Sequence, residues 1–151
     1  MTAPERTGAV NLMLRVLTAL ALVGVAVVHL DIADGYAELG KHPLSLGDQF
    51  YAQSAIAILL AIALLVKPHF VIWFATAGFA LGSLAVLVYS RYKTIPIYGF
   101  PGGFTETWDA KGAKPAAWFE GAALLLSLVG AGLTAPAFLR TVQQRRQARS
   151  S

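Results

Sequence analysis

The stretch Val27-Val28-His29-Leu30-Asp31-Ile32-Ala33-Asp34-Gly35-Tyr36 ends a long apolar run with one imidazole and two carboxylates. The run itself covers residues 11–30 and is almost entirely apolar. At a rise of about 1.5 Å per residue, a helix of this length spans about 30 Å, the thickness of a bilayer's hydrocarbon core. The stretch therefore predicts a membrane-spanning helix whose polar end begins at His29.

The composition indicates that the solvent around this chain is lipid. Of the 151 residues, 56% are hydrophobic and only 13% are charged, whereas soluble domains carry about 25% charged residues. The chain contains no cysteine. This excludes disulfides, cysteine-ligated zinc, iron–sulfur clusters, covalently attached c-type haem and thiol chemistry.

Three further apolar runs follow the first, so we predict an all-α fold, a four-helix transmembrane bundle. The predicted spans are residues 11–30, 50–66, 70–90 and 116–136. Around them we predict a cytoplasmic N-terminal tail (1–10), a membrane domain (11–139) and a basic cytoplasmic tail (140–151). Between spans three and four we predict a long, aromatic-rich extracytoplasmic loop, in which Phe100-Pro101-Gly102-Gly103-Phe104 reads as a turn because it lacks the residues of a phosphate loop.

The distribution of positive charge predicts the orientation. With both termini inside, seven Lys and Arg residues lie in the cytoplasm and five lie outside, and cytoplasmic segments carry the excess of positive charge. Four of the seven are Arg140, Arg145, Arg146 and Arg149. Next to an apolar span, such a cluster favours contact with anionic lipid over contact with nucleic acid.

Helix packing in lipid depends on small residues and buried polar groups. Gly78 and Gly82 form a Gly-x-x-x-Gly pattern, which we predict to pack against another helix, within the bundle or across a dimer. Stripes with three- and four-residue steps predict the inward face of each span. The stripes are Arg15, Thr18, Leu22, Val25 and His29; Gln53, Ala57, Leu60 and Leu64; Ala75, Gly78, Gly82, Ala85 and Tyr89; and Glu120, Ala123, Ser127, Gly130 and Thr134.

The polar ends of these stripes are expected to meet at one depth. The candidate outer-face cluster consists of His29, Gln53 and Glu120, with Asp31, Asp34 and Arg91 just above them. Ionisable residues within a span are costly and by default mark a functional site. Three interpretations stay open: a structural hydrogen bond between helices, a proton-linked or small-ligand pocket, and a metal site that uses His29 and Glu120, with His42 as a further ligand.

Short motifs link the chain to known proteins. His29-Leu30 followed by Gly35-Tyr36, a Gly-Phe turn with Glu106 nearby, and Glu120 in the last span resemble a group of small, mostly uncharacterised four-span membrane proteins of high-GC Gram-positive bacteria. The four-span plan also resembles that of DoxX-type membrane proteins. The resemblance implies a plasma-membrane location and no agreed activity.

Two classes of function follow from the sequence. The first is a non-enzymatic membrane protein, an accessory of a membrane-protein complex or a binder of a small ligand at an outward-facing polar cluster. The alternative is a redox or proton-linked enzyme subunit that uses His29 and Glu120. The sequence names no cofactor, and beyond the lipid bilayer it predicts a membrane-protein complex or a homo-oligomer as partner.

Overall fold

The computed structural model describes residues 3–41 and 44–150. It contains four long helices, and each is long and apolar enough to cross a membrane. The coarse prediction of a four-helix bundle is thereby confirmed. The helices are α1 (Ala3–Ala33), α2 (Leu46–Val66), α3 (Phe70–Tyr89) and α4 (Ala113–Ser150), and a short 3-10 helix (Asp34–Tyr36) continues α1.

The first and last helices extend beyond the predicted spans. Helix α1 begins at Ala3 rather than at residue 11, and α4 begins at Ala113 and continues through Pro136 to Ser150. Most of the predicted basic tail is therefore a continuation of α4. At 1.5 Å per residue the 38 residues of α4 span roughly 57 Å, well beyond a hydrocarbon core of about 30 Å.

The connection between α3 and α4, residues 90–112, for which the sequence predicted a long loop, includes regular secondary structure. It contains an antiparallel hairpin of β1 (Ile95–Ile97) and β2 (Phe100–Phe104). The segment interpreted as a turn is thus strand β2. The hairpin turns at Gly99 (φ 76°), and a second glycine with positive φ, Gly103 (φ 63°), lies where the register shifts. We call the end of the bundle that carries this hairpin the hairpin end.

Side-chain caps define both ends of α2. At its start Ser45 accepts a hydrogen bond from the backbone N–H of Asp48, and the Asp48 carboxylate accepts one from the N–H of Ser45. At its other end the Arg15 guanidinium of α1 donates to the carbonyl of Leu64 at 2.9 Å and also to that of Leu65. The last carbonyls of a helix have no partner within it, so Arg15 satisfies two of them and ties α1 to α2.

The helices pack unevenly around the bundle. Helix α1 packs on α2 and α4, and α3 packs on α4, whereas α2 and α3 make few contacts although they are adjacent in sequence. The core lies where the closely packed helices meet. Its largest fully buried apolar side chains are Trp73, Leu22, Leu64 and Val25.

Three of the four predicted inward stripes are confirmed, and the stripe on α3 is wrong. In α1, α2 and α4 the predicted residues are buried or half-buried. In α3 the residues of the predicted stripe are exposed, and a Cβ at Gly78 or Gly82 would meet nothing within 4 Å. Packing of this glycine pair within the bundle is therefore wrong, and packing across a dimer stays a prediction.

The rotation of α3 follows from its one tryptophan. Trp73 is fully buried, and nine residues at about 100° each place Gly82 on the opposite side of the helix. Burial of an indole removes a large apolar surface from the exterior and creates many contacts. The Gly-x-x-x-Gly pattern marks a face that permits close approach, but it does not identify the partner.

Close helix approach occurs instead at other glycines, two of which face an aromatic ring. A Cβ at Gly130 of α4 would lie 2.4 Å from the Trp73 ring, and a Cβ at Gly24 of α1 would lie 2.4 Å from the Phe119 ring. Each aromatic ring thus occupies the space that a side chain would need. Gly130 belongs to the predicted stripe on α4, whereas Gly24 belongs to none.

Candidate functional site

A cavity of about 420 Å³ lies between α2 and α3 at the hairpin end. Pockets for small molecules typically measure about 300–1,000 Å³ and have apolar walls with a few polar groups. The walls here fit that description, because most of the lining residues are apolar. They include Phe50, Gln53 and Ile56 from α2, Phe79, Gly82, Ser83 and Val86 from α3, and Ile95, Pro96, Ile97 and Phe104 from the hairpin.

His29 and Glu120 meet at the inner wall of this cavity, as the sequence predicted. Their Nε2 and Oε1 atoms are 3.7 Å apart, and the two residues are only 5% and 1% exposed. The other ring nitrogen of His29, Nδ1, lies 2.8 Å from the Val25 carbonyl. Because a carbonyl oxygen only accepts, Nδ1 carries a hydrogen and donates it, which leaves Nε2 to face Glu120.

The Glu120 carboxylate has one satisfied oxygen and one unsatisfied oxygen. Oε1 accepts a hydrogen bond from the Ser83 hydroxyl at 2.5 Å and one from the Gln53 amide at 3.4 Å. Gln53 also donates to the Ser83 hydroxyl. Oε2 is buried, and the described residues offer it no partner. A buried acceptor without a donor costs about 1–3 kcal/mol or more, so this oxygen is a candidate binding group.

Arg91 forms a second polar region of the same cavity, closer to the hairpin. Its guanidinium carbon lies 5.2 Å from the centre of the Trp108 ring. Two of its nitrogens, Nε and Nη1, are buried without an acceptor among the described residues. Burial lowers the pKa of Arg91, and the nearby Glu106 carboxylate and Tyr36 oppose this shift. A guanidinium stays charged in proteins, so it remains a hydrogen-bond donor.

Edge-to-face aromatic contacts connect the inner wall to the hairpin. The ring centres of His29 and Phe50 are 5.2 Å apart, those of Phe50 and Tyr36 are 5.2 Å apart, and those of Tyr36 and Phe104 are 5.7 Å apart. The Tyr36 hydroxyl donates to the Glu106 carboxylate. These contacts hold the hairpin over the cavity and fix the side chains around it.

The structure brings four of the six predicted cluster residues to the cavity and places two elsewhere. His29, Gln53, Arg91 and Glu120 line it. Asp31 pairs with Lys111 at 2.9 Å on the surface, and exposed Asp34 accepts a hydrogen bond from Tyr51 at 2.5 Å. The helix continues to Ala33, so Asp31 is rotated by about 200° from His29 and cannot share its face.

The described residues do not supply a set of metal ligands around His29 and Glu120. Within residues 3–41 and 44–150, no group of three His, Asp or Glu residues could hold a metal ion. His42, considered as a further ligand, lies outside the described residues. The hydrogen bonds that the structure shows around His29 and Glu120 go to Val25, Ser83 and Gln53.

Three polar residues that line the cavity were not part of the predicted cluster: Ser83, Tyr36 and Glu106. Ser83 had a detectable signal, because Thr76, Ser83 and Ser90 recur every seven residues along the inward side of α3. Glu106 appeared only as part of the resemblance. The hydrogen bond between Tyr36 and Glu106 joins segments 70 residues apart, and no local pattern could predict it.

Fold and site together define the class of protein. It is a bundle of four membrane-length helices with a cavity between two of them, and a buried His–Glu pair lies at the inner wall of that cavity. No protein-family model, no curated protein and no solved structure matches this chain.

Proposed function

We propose that this protein binds a small ligand in the cavity between α2 and α3. The observation that carries the proposal is the buried Oε2 atom of Glu120, which has no donor among the described residues and belongs to a residue that lines the cavity. A purely structural pair would satisfy both oxygens, since the unsatisfied group reduces stability. A ligand that donates a hydrogen bond to Oε2 removes this cost.

The location is part of the proposal. The protein resides in the plasma membrane with both termini in the cytoplasm, so that the hairpin and the polar cluster face outward. The support is the excess of positive charge on the side of the termini, including Arg140, Arg145, Arg146 and Arg149 on the final turns of α4, because cytoplasmic flanks carry that excess. The resemblance to small four-span bacterial membrane proteins favours the same location.

The test replaces the acceptor atom Oε2 of Glu120 by a donor and leaves the shape of the side chain unchanged. In Glu120→Gln an amide N–H₂ takes the place of Oε2, while the remaining oxygen still accepts from Ser83. A donor then faces the donor of the ligand, so affinity should fall about 10- to 100-fold, the equivalent of one buried unpaired polar group. Glu38→Gln, the same change at an exposed position, is the matched control.

Native mass spectrometry of the gently solubilised protein provides the readout. We expect an adduct of constant mass on the wild type and on the Glu38→Gln variant, and its loss from the Glu120→Gln variant. Absence of any adduct from the wild type, or equal occupancy of all three proteins, contradicts the proposed function.

A second candidate function is a redox or proton-linked enzyme subunit. The observation in its favour is the 3.7 Å approach of His29 Nε2 to Glu120, because imidazole changes its charge near neutral pH and can pass protons. Under this alternative, His29→Gln leaves the adduct in place but stops proton uptake by reconstituted vesicles. Loss of the adduct together with unchanged proton uptake excludes the alternative.

A further inference from the structure

We infer that the ligand is a neutral, lipid-soluble amphiphile with a hydroxyl head, and that it enters the cavity sideways from the bilayer between α2 and α3, past Gly82. The inference rests on the proposed function, since it names the ligand class and the route of the same site.

The first observation is the gap between α2 and α3. The other neighbouring helix pairs, α1–α2, α1–α4 and α3–α4, pack closely along the bundle, whereas α2 and α3 make few contacts. A connection of only three residues, 67–69, joins α2 and α3. The two helices therefore stay together at that turn, and the cavity lies between their other halves, where the hairpin covers its end.

The second observation is that residues of the cavity wall also face the exterior. Ile56 and Val86 line the cavity, yet they are 47% and 59% exposed. Ile56 is the middle residue of α2, and Gly82 lies well inside α3. Exposure at these depths is exposure to lipid tails, so the opening faces the hydrocarbon core.

Gly82 lies at this opening and keeps it wide. It lines the cavity, and a Cβ there would meet nothing within 4 Å. Gly78, one turn earlier in α3, is also exposed, and a Cβ there would also meet nothing within 4 Å, but Gly78 does not line the cavity. The glycine pair predicted to pack helices thus contains one residue at the opening and one matched position beside it.

The chemistry of the wall selects the head group of the ligand. Glu120 lines the cavity, and its buried unpaired oxygen, Oε2, is an acceptor, so the head must present an O–H or N–H donor. Arg91 and Lys111 offset the acidic side chains of Glu106 and Glu120 in the lining of the same cavity, so the wall has no excess charge with which an ionic head, such as a cationic amine, could pair. A neutral hydroxyl satisfies both conditions, and the apolar walls and the lateral opening accommodate an alkyl chain.

The test uses a hexadecanol that carries a diazirine next to its hydroxyl, incorporated into dioleoylphosphatidylcholine vesicles with the full-length protein. After illumination, peptide mass spectrometry measures labelling of Glu120, which is 1% exposed and out of reach of bulk lipid. The wild type should be labelled at Glu120. Gly82→Phe should reduce this labelling at least tenfold, because the ring fills the opening, and Gly78→Phe should leave it unchanged.

The hydroxyl requirement has its own control. The methyl ether of the same probe has no donor and should label Glu120 at least tenfold less than the alcohol. Equal labelling by the alcohol and the ether overturns the assignment of the head group. If Gly82→Phe reduces the helical content of the protein, the variant Ile56→Trp, which narrows the same opening from α2, takes its place in the test.

The outcomes separate the inference from the proposed function. Labelling of Glu120 that is equal in Gly82→Phe, Ile56→Trp and the wild type overturns lateral entry, and labelling confined to exposed residues overturns the ligand class. In both cases the adduct seen by native mass spectrometry still supports the proposed function. An absent adduct contradicts the proposed function itself.

Discussion

Replacement of Gly130 by alanine tests the packing of α3 on α4 more directly than any other single change. The added methyl carbon would lie 2.4 Å from two atoms of the Trp73 ring, whereas carbon atoms in contact are about 3.5–4.0 Å apart. The helices must therefore separate by at least about 1 Å, because Trp73 is fully buried and its ring has no free space to enter. Overpacking of this kind costs about 1–3 kcal/mol.

The matched control is Gly132→Ala in the same helix. Gly132 is exposed, and a Cβ there would meet nothing within 4 Å. Both variants gain the same helix propensity, about 1 kcal/mol in favour of alanine. We therefore expect Gly130→Ala to be about 1–3 kcal/mol less stable than Gly132→Ala.

The assay is reversible unfolding in mixed micelles, followed by circular dichroism, for both variants and for each in a Trp73→Phe background. The smaller ring should relieve the clash at Gly130, so the two changes should show a coupling energy of about 0.5–3 kcal/mol. Equal stability of Gly130→Ala and Gly132→Ala, or additive effects of Gly130→Ala and Trp73→Phe, would refute the close approach of α3 and α4.

Three further predictions concern the ends of the bundle. Arg15→Leu leaves two carbonyls of α2 without their donor and should destabilise the solubilised protein by about 1–3 kcal/mol. The control, Arg145→Leu on the exposed end of α4, should have no effect. Equal melting temperatures of the two variants would contradict the cap. Tyr36→Phe removes the hydroxyl that donates to the Glu106 carboxylate, so the hairpin amides should exchange hydrogen about tenfold faster, the equivalent of about 1.4 kcal/mol; unchanged exchange would show that this bond does not hold the hairpin. The chain has no cysteine, so single cysteines at the exposed positions of Lys93 and Arg149 can report the orientation. An impermeant maleimide should label Lys93→Cys in intact cells and Arg149→Cys only after lysis. The reverse result would invert the proposed topology.

Local sequence pattern was sufficient for much of the site. His29, Gln53 and Glu120 were placed together because each ends an apolar stripe at a similar depth, and depth along a membrane helix follows from counting residues at a fixed rise. The same counting misplaced Asp31, since α1 continues past His29 to Ala33 and turns that carboxylate to another face. Where a helix ends depends on groups beyond it, such as Gly47, which approaches so closely that a Cβ there would lie 2.6 Å from the Ala33 carbonyl oxygen.

The sequence by itself determined the number of helices, the apolar span within each and the inward faces of α1, α2 and α4, because hydrophobic length and polar periodicity are properties of each segment alone. Only the tertiary structure decided the rotation of α3, the hairpin over the cavity and the gap beside Gly82. Each of these depends on competition between distant groups. Burial of Trp73 against Gly130 of α4, rather than the glycine pair on the opposite face, determines which side of α3 points inward. The sequence of α3 alone does not contain Gly130 and so could not predict this.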